Sequence, residues 1–150
     1  VSRFQRRVPE LDGNEHVQSF VNIILAYLNS NHDVEYSSNL VSLCAPFIYV
    51  METECDAFFC FERLMQAIEE YNTNISLKKQ VAQFMTLFRC GLPELCSYFD
   101  EEEVDLNEWS TSWLHNLLAK EMKFENLVRL WGKNLFWPNI LTCNIHNSFI

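Results

Sequence analysis

The sequence predicts an all-α fold. Three observations carry that expectation. Apolar residues recur at helical spacing along most of the chain. Only three Gly and four Pro punctuate 150 residues, against a usual Gly content near ~7%. No stretch alternates apolar and polar residues as a half-buried strand does. With 49% hydrophobic and 21% charged residues, the chain has the length and composition to bury one sizeable core.

The elements follow in order. Residues 14–29 place Val17, Phe20, Val21, Ile24, Leu25 and Leu28 on one face, with Asn14 as the expected N-cap. The polar stretch 30–39 is a loop. Residues 40–51 are almost wholly apolar and predict a buried helix, in which Pro46 introduces a kink or marks a first turn. Thr53 to Asp56 has the form of a capping box. The helix after it carries Ala57, Phe58, Phe61, Leu64, Met65 and Ile68 to about Tyr71, where Asn72–Thr73–Asn74 breaks it.

Val81, Phe84, Met85 and Phe88 form the next face, with Gly91 as its stop. Pro93 opens a short helix through Leu95 and Tyr98. The acidic run 100–105 is a solvated loop. Trp109, Trp113, Leu114, Leu117 and Leu118 predict a further helix, and Phe124, Leu127, Val128, Trp131 and Leu135 one more. That makes seven or so helices. Phe58, Phe61, Leu64, Trp113 and Trp131 are expected to be mostly buried.

Composition excludes several function classes. Three widely separated glycines cannot form a phosphate-cradling GxGxxG or GxxxxGK[ST] loop. A net charge of −9 opposes binding to a nucleic-acid backbone. The first seven residues nevertheless hold three arginines and no acid: either a solvated basic end or an arm that meets an anionic ligand. His16, His32, His115 and His146 lack His or Cys partners at metal-ligand spacing, so neither metal nor other cofactor is expected. Glu101, Glu102 and Glu103 point in several directions rather than pairing, and no Ser or Cys stands in a nucleophile motif. The six cysteines sit in apolar surroundings without CxxC spacing and are expected to be small buried hydrophobes in a reducing compartment. No secretory leader opens the sequence and no apolar run reaches about 18 residues. The expected setting is cytoplasmic, without membrane insertion.

The order of short segments resembles a known family. Ala45–Pro46–Phe47–Ile48–Tyr49–Val50–Met51, then Glu52–Thr53–Glu54, then Ala57–Phe58–Phe59–Cys60–Phe61–Glu62–Arg63–Leu64–Met65 is similar to the TBC-domain family of activating proteins for Rab-type GTPases. Leu92–Pro93–Glu94–Leu95 resembles its "DPEL", and Arg129–Leu130–Trp131 its "RLWD" as far as the Trp. The wording is nearest to the mitotic-exit and septation branch, which implies a cell-cycle setting. The resemblance places residues 1–137 in an N-terminally incomplete TBC-like domain, with 138–150 as an extension or its last helix.

The resemblance implies an all-helical fold, a Rab-like small GTPase in its GTP form as partner, and a mechanism with two catalytic residues. A scaffold or second activating subunit is a further implied partner. The family's "D-apolar-x-R-T-x-P" arginine motif aligns with Arg3–Phe4–Gln5–Arg6–Arg7–Val8–Pro9. Arg6 keeps the family spacing and Arg7 lies one position off. The family's YxQG glutamine motif falls on Tyr36–Ser37–Ser38–Asn39, where Ser38 replaces the glutamine and Asn39 the glycine. Gly132 replaces the aspartate after Trp131. Two functions stay open: a GTPase activator acting through Arg6 or Arg7 beside Tyr36 and Ser38, and a catalytically inactive domain that binds a GTPase or scaffold.

Overall fold

The computed structural model describes residues 8–134. All of the regular structure, among the described residues, is helical. A 3-10 turn at Pro9–Leu11 precedes seven α-helices there: α1 Asn14–Ser30, α2 Ser38–Val50, α3 Glu54–Asn74, α4 Leu77–Gly91, α5 Pro93–Glu101, α6 Leu106–Asn116 and α7 Phe124–Asn134. The chain divides into two compact units. One comprises the described residues up to Gln66 together with Met122–Val128, and the other Ala67–Glu121 with the described residues from Arg129 onward.

In the first unit α1 packs on α2. Phe20, Ile23, Ile24 and Tyr27 form the buried face of α1, while Val21 and Leu25 are exposed. The helix is therefore rotated from the expected face. Its partners decide this: Tyr27 meets the edge of Phe61 at 5.2 Å between ring centroids, and Asn22 Nδ2 donates to Glu54 Oε1 at 3.1 Å. Gly13, in extended conformation, is the N-cap, and Asn14 is the first helical residue. Helix α2 begins at Ser38, two residues earlier than expected, and buries every residue from Leu40 to Pro46. Pro46 lies in its interior and the helix continues to Val50.

The expected cap at Thr53 is present, with a variation. The Asp56 N–H donates to Thr53 Oγ1 at 3.1 Å. The Thr53 hydroxyl in turn donates to the Asp56 carboxylate at 2.7 Å, closing the first turn of α3 through side chains. Phe61 and Leu64 are buried on α3, as expected, but Phe58 is half-buried.

Helix α3 also runs through Asn72–Thr73–Asn74, in place of the expected break. The same polar side chains that signal a break here cap carbonyls of the preceding turn. Thr73 Oγ1 donates to the Glu69 carbonyl at 2.9 Å, and Asn74 Nδ2 to that of Glu70 at 2.8 Å. Buried Gln80 then donates to Asn72 Oδ1 and to the Ile75 carbonyl at 3.0 and 2.8 Å.

The second unit is organised on α4, against which α5 and α6 pack. Phe84, Phe88, Cys96 and Leu106 are its buried centre, with Met85, Phe99, Trp109 and Trp113 around them. The rings meet mainly edge to face, Trp109 lying 5.3 Å from Phe88 and 4.4 Å from Trp113, an arrangement aromatic quadrupoles favour. Trp113 is half-buried rather than fully enclosed.

Asp105 caps α6, its carboxylate accepting the Asn107 N–H at 2.9 Å. Leu117 and Leu118, expected inside that helix, follow it instead, both left-handed, with φ of 48° and 64°. Buried Trp131 donates its indole N–H to the Leu117 carbonyl at 3.2 Å, which pins this costly turn. The acidic run is only partly a loop, because Asp100 and Glu101 belong to α5.

Burial of the cysteines is mixed. Cys44 and Cys96 are buried and Cys60 half-buried, but Cys55 and Cys90 are exposed, and these five are free thiols; Cys143 lies outside the described residues. The expectation of uniformly buried cysteines is therefore corrected at two positions, where each thiol sits on the solvent side of its helix. A thiol-reactive reagent should label Cys55 and Cys90 quickly, and Cys44 and Cys96 more than about 100-fold more slowly. Peptide mass spectrometry on the native protein reads this directly, and equal labelling of Cys44 and Cys55 would contradict the packing of α2.

Candidate functional site

Of the four candidate residues, Tyr36 lies in the connection between α1 and α2 and Ser38 opens α2. Helix α1 ends at an Asn31 cap, whose side chain donates to the Tyr27 carbonyl at 2.8 Å. A turn follows, the Val34 N–H donating to the Asn31 carbonyl at 3.0 Å. The backbone is extended at Ser37, the N-cap of α2, and the Leu40 N–H donates to the Ser37 carbonyl at 3.2 Å. Tyr36 is 61% exposed. Ser38 is the first residue of α2, is also exposed, and Asn39 behind it is half-buried.

This arrangement offers a phenol and a hydroxyl to solvent, and the first turn of α2 carries no acid. Such groups hydrogen-bond water or phosphate oxygens. They supply no base or nucleophile. Burial pushes the Cys44 thiol far up from its ordinary range. Burial, and then the Asp56 carboxylate, raises that of Cys60. Both stay protonated and unreactive at neutral pH.

Arg6 and Arg7 lie outside the described residues. Their point of attachment is described: Val8 and Leu11 are buried, Pro9 opens the 3-10 turn, and the Leu11 N–H donates to the Val8 carbonyl at 3.0 Å.

The model of the Rab-GTPase-TBC domain matches residues 2–143. The chain belongs to the Rab-GTPase-TBC domain family. Among curated relatives, it is 27% identical over 126 residues to human TBC1 domain family member 17, covering 83% of this chain and 19% of that protein. The mouse protein of the same name is 26% identical over 150 residues, covering 97% of this chain and 23% of the relative. TBC1 domain family member 2B of Xenopus tropicalis is 29% identical over 127 residues, covering 82% and 13%. The chain thus spans less than a quarter of the length of each of these relatives. No solved structure matches it significantly.

Within this TBC domain, Ser38 stands where the resemblance places the family glutamine. Its hydroxyl is two bonds closer to the backbone than a glutamine amide. Gly132 lies on α7, and among the described residues nothing comes within 4 Å of where its Cβ would project. One feature is not signalled by sequence at all. An open cleft of about 200 Å³ is lined by Glu15, His16, Ile48, Glu52 and Glu54 among others. Its walls come from separated segments, so no motif announces it. It lies toward the start of α1, whereas Tyr36 follows its end, about 25 Å along a 17-residue helix. No helix among the described residues is long and apolar enough to cross a membrane.

Proposed function

We propose that the chain is a GTPase-activating domain for a Rab-like small GTPase in its GTP form, with Arg6 as the arginine supplied in trans. The observation that carries this reading is the anchor behind that arginine. Buried Val8 and Leu11 and the Pro9 turn tie the chain to the core two residues beyond Arg6, and consecutive Cα atoms are only about 3.8 Å apart. A guanidinium acts on developing γ-phosphoryl charge by position, and position needs a fixed base. Arg7 is the alternative one residue nearer the anchor. Tyr36 and Ser38 border the nucleotide in this reading, and the partner's own glutamine orients the attacking water less effectively than an amide at position 38 would.

The replacement of the glutamine and glycine by Ser38 and Asn39 favours a second reading, a domain that holds a GTPase or scaffold without accelerating hydrolysis. A role in mitotic exit rests on the wording of the Ala45–Met51 and Ala57–Phe61 segments. The free thiols support a reducing, cytoplasmic setting.

Single-turnover GTP hydrolysis on a panel of GTPases, with wild type and the Ser38→Gln/Asn39→Gly double variant, separates the two. Restoring the amide should raise the stimulated rate by about 10–100-fold. Glycine in the first turn of α2 costs up to about 1 kcal/mol, so both proteins are compared at equal helicity. Binding of a GTP-loaded partner with no acceleration by either protein would leave the second reading standing.

A further inference from the structure

Helix α5 carries an apolar strip that the described residues of its own unit leave exposed. Cys96 and Phe99 face the aromatic centre of the second unit. Leu95 and Tyr98 lie roughly one helical step of about 100° to one side of them, and are 38% and 54% exposed. Leu92 at the start of the helix and Val104 just past its end are 37% and 42% exposed. The Val104 N–H donates to the Phe99 carbonyl at 2.9 Å, which folds Val104 back against the end of α5. Side chains three apart are neighbours on a helix, so Leu95 and Tyr98 form one continuous strip, and Leu92, the non-helical residue just before Pro93, stands at its opening end.

Acids surround that strip. Glu94 and Glu101, seven residues apart, lie nearly in line along its outer side, and Glu102 closes its end. Residues 92–105 carry six acidic side chains and no basic one. The neighbouring Arg89 pairs at 3.5 Å with Asp100, which lies on the other flank of the core-facing strip and leaves the acids around Leu95 and Tyr98 unneutralised by it.

We infer that this face of α5 docks a basic amphipathic helix of a partner protein. Exposed leucines and a tyrosine supply the apolar contact of a helix-recognition surface. The carboxylate rim selects lysine and arginine flanks and steers their approach. The same rim repels an anionic membrane surface, and it repels a second copy of itself, since both would present like charge. The surface is distinct in its residues from the Tyr36–Ser38 region and does not depend on the activity proposed there.

The test uses a labelled 18-residue peptide built only of leucine and lysine at amphipathic helical spacing, titrated with the whole chain and followed by anisotropy. Binding is expected, weakening with added salt. Two surface variants, Leu95→Asp with Tyr98→Asp and Glu94→Gln with Glu101→Gln and Glu102→Gln, should each weaken it by about tenfold or more. Leu25→Asp, on the exposed face of α1, should leave it unchanged. A leucine–glutamate peptide of the same pattern should not bind. The glutamine variant removes charge without touching packing, so it reads out even if the aspartate variant unfolds. Equal binding by wild type and the glutamine variant would overturn the proposal. So would loss with Leu25→Asp equal to that with the α5 variants, since the peptide would then be held by apolar contact that is not particular to α5. A concentration-dependent dimer in sedimentation that the aspartate variant abolishes would also overturn it, in favour of self-association.

Discussion

Replacing Phe61 by alanine is expected to destabilise the protein by about 3–5 kcal/mol. Phe61 has no exposed surface and meets Tyr27 edge-on, so truncation removes the apolar transfer of the ring, leaves a cavity and deletes an aromatic pair. A domain of this size holds only about 5–15 kcal/mol in total, and much of that margin would disappear. Phe59 provides the control two residues away on the same helix. It is 60% exposed, and Phe59→Ala should change stability by less than about 1 kcal/mol. Urea denaturation of both variants measures the contrast. Equal effects would mean that α3 is rotated from the orientation described.

The largest effect on activity is expected at Arg6. An arginine supplied in trans to a GTPase contributes roughly 10³–10⁵ in rate, because its charge meets the γ-phosphoryl oxygens as negative charge builds on them. Arg6→Ala should therefore lower the stimulated single-turnover rate by that order while changing the affinity for the GTP-loaded partner little. Arg7→Ala should cost less, since its spacing to Phe4 and Pro9 departs by one from the family motif. Loss of stimulation with Arg7→Ala and not with Arg6→Ala would shift the assignment by one residue. Loss of binding with Arg6→Ala in proportion to rate would make that arginine a docking contact.

The second unit shows how far local signals reach. Pro93 at the first position of α5 and Gly91 at the end of α4 mark helix boundaries that backbone chemistry alone imposes. The spacing of Val81, Phe84 and Phe88 announces the core-facing side of α4. Leu117 and Leu118 carry no such signal. Leucine favours helix; the turn that takes them out of it is closed by backbone bonds such as Leu118 N–H to the Trp113 carbonyl and fastened by the Trp131 indole, fourteen residues on. At the candidate site, the ordered motifs located Tyr36 and Ser38 in sequence. Their exposure at the opening of α2 depends on how α1 ends at Asn31. The α5 strip was legible as a helix, but nothing in its periodicity told that Leu95 and Tyr98 would stay uncovered.

The sequence by itself determined that the chain is helical and nearly where most of its helices begin. Those features rest on the 3.6-residue repeat of apolar side chains and on residues that terminate a backbone hydrogen-bond ladder, and both act within a few positions. Tertiary structure alone decided which of several adjacent apolar positions turn inward: Ile23 and Tyr27 rather than Val21 and Leu25 on α1, Cys44 and Cys96 rather than Cys55 and Cys90. On a helix with apolar residues around more than half its circumference, a rotation of about 100° exchanges one plausible face for another at little local cost. The partner ring of Phe61 and the carboxylate of Glu54 make the choice. They act across the fold, and no window along the chain contains both them and the residues they orient.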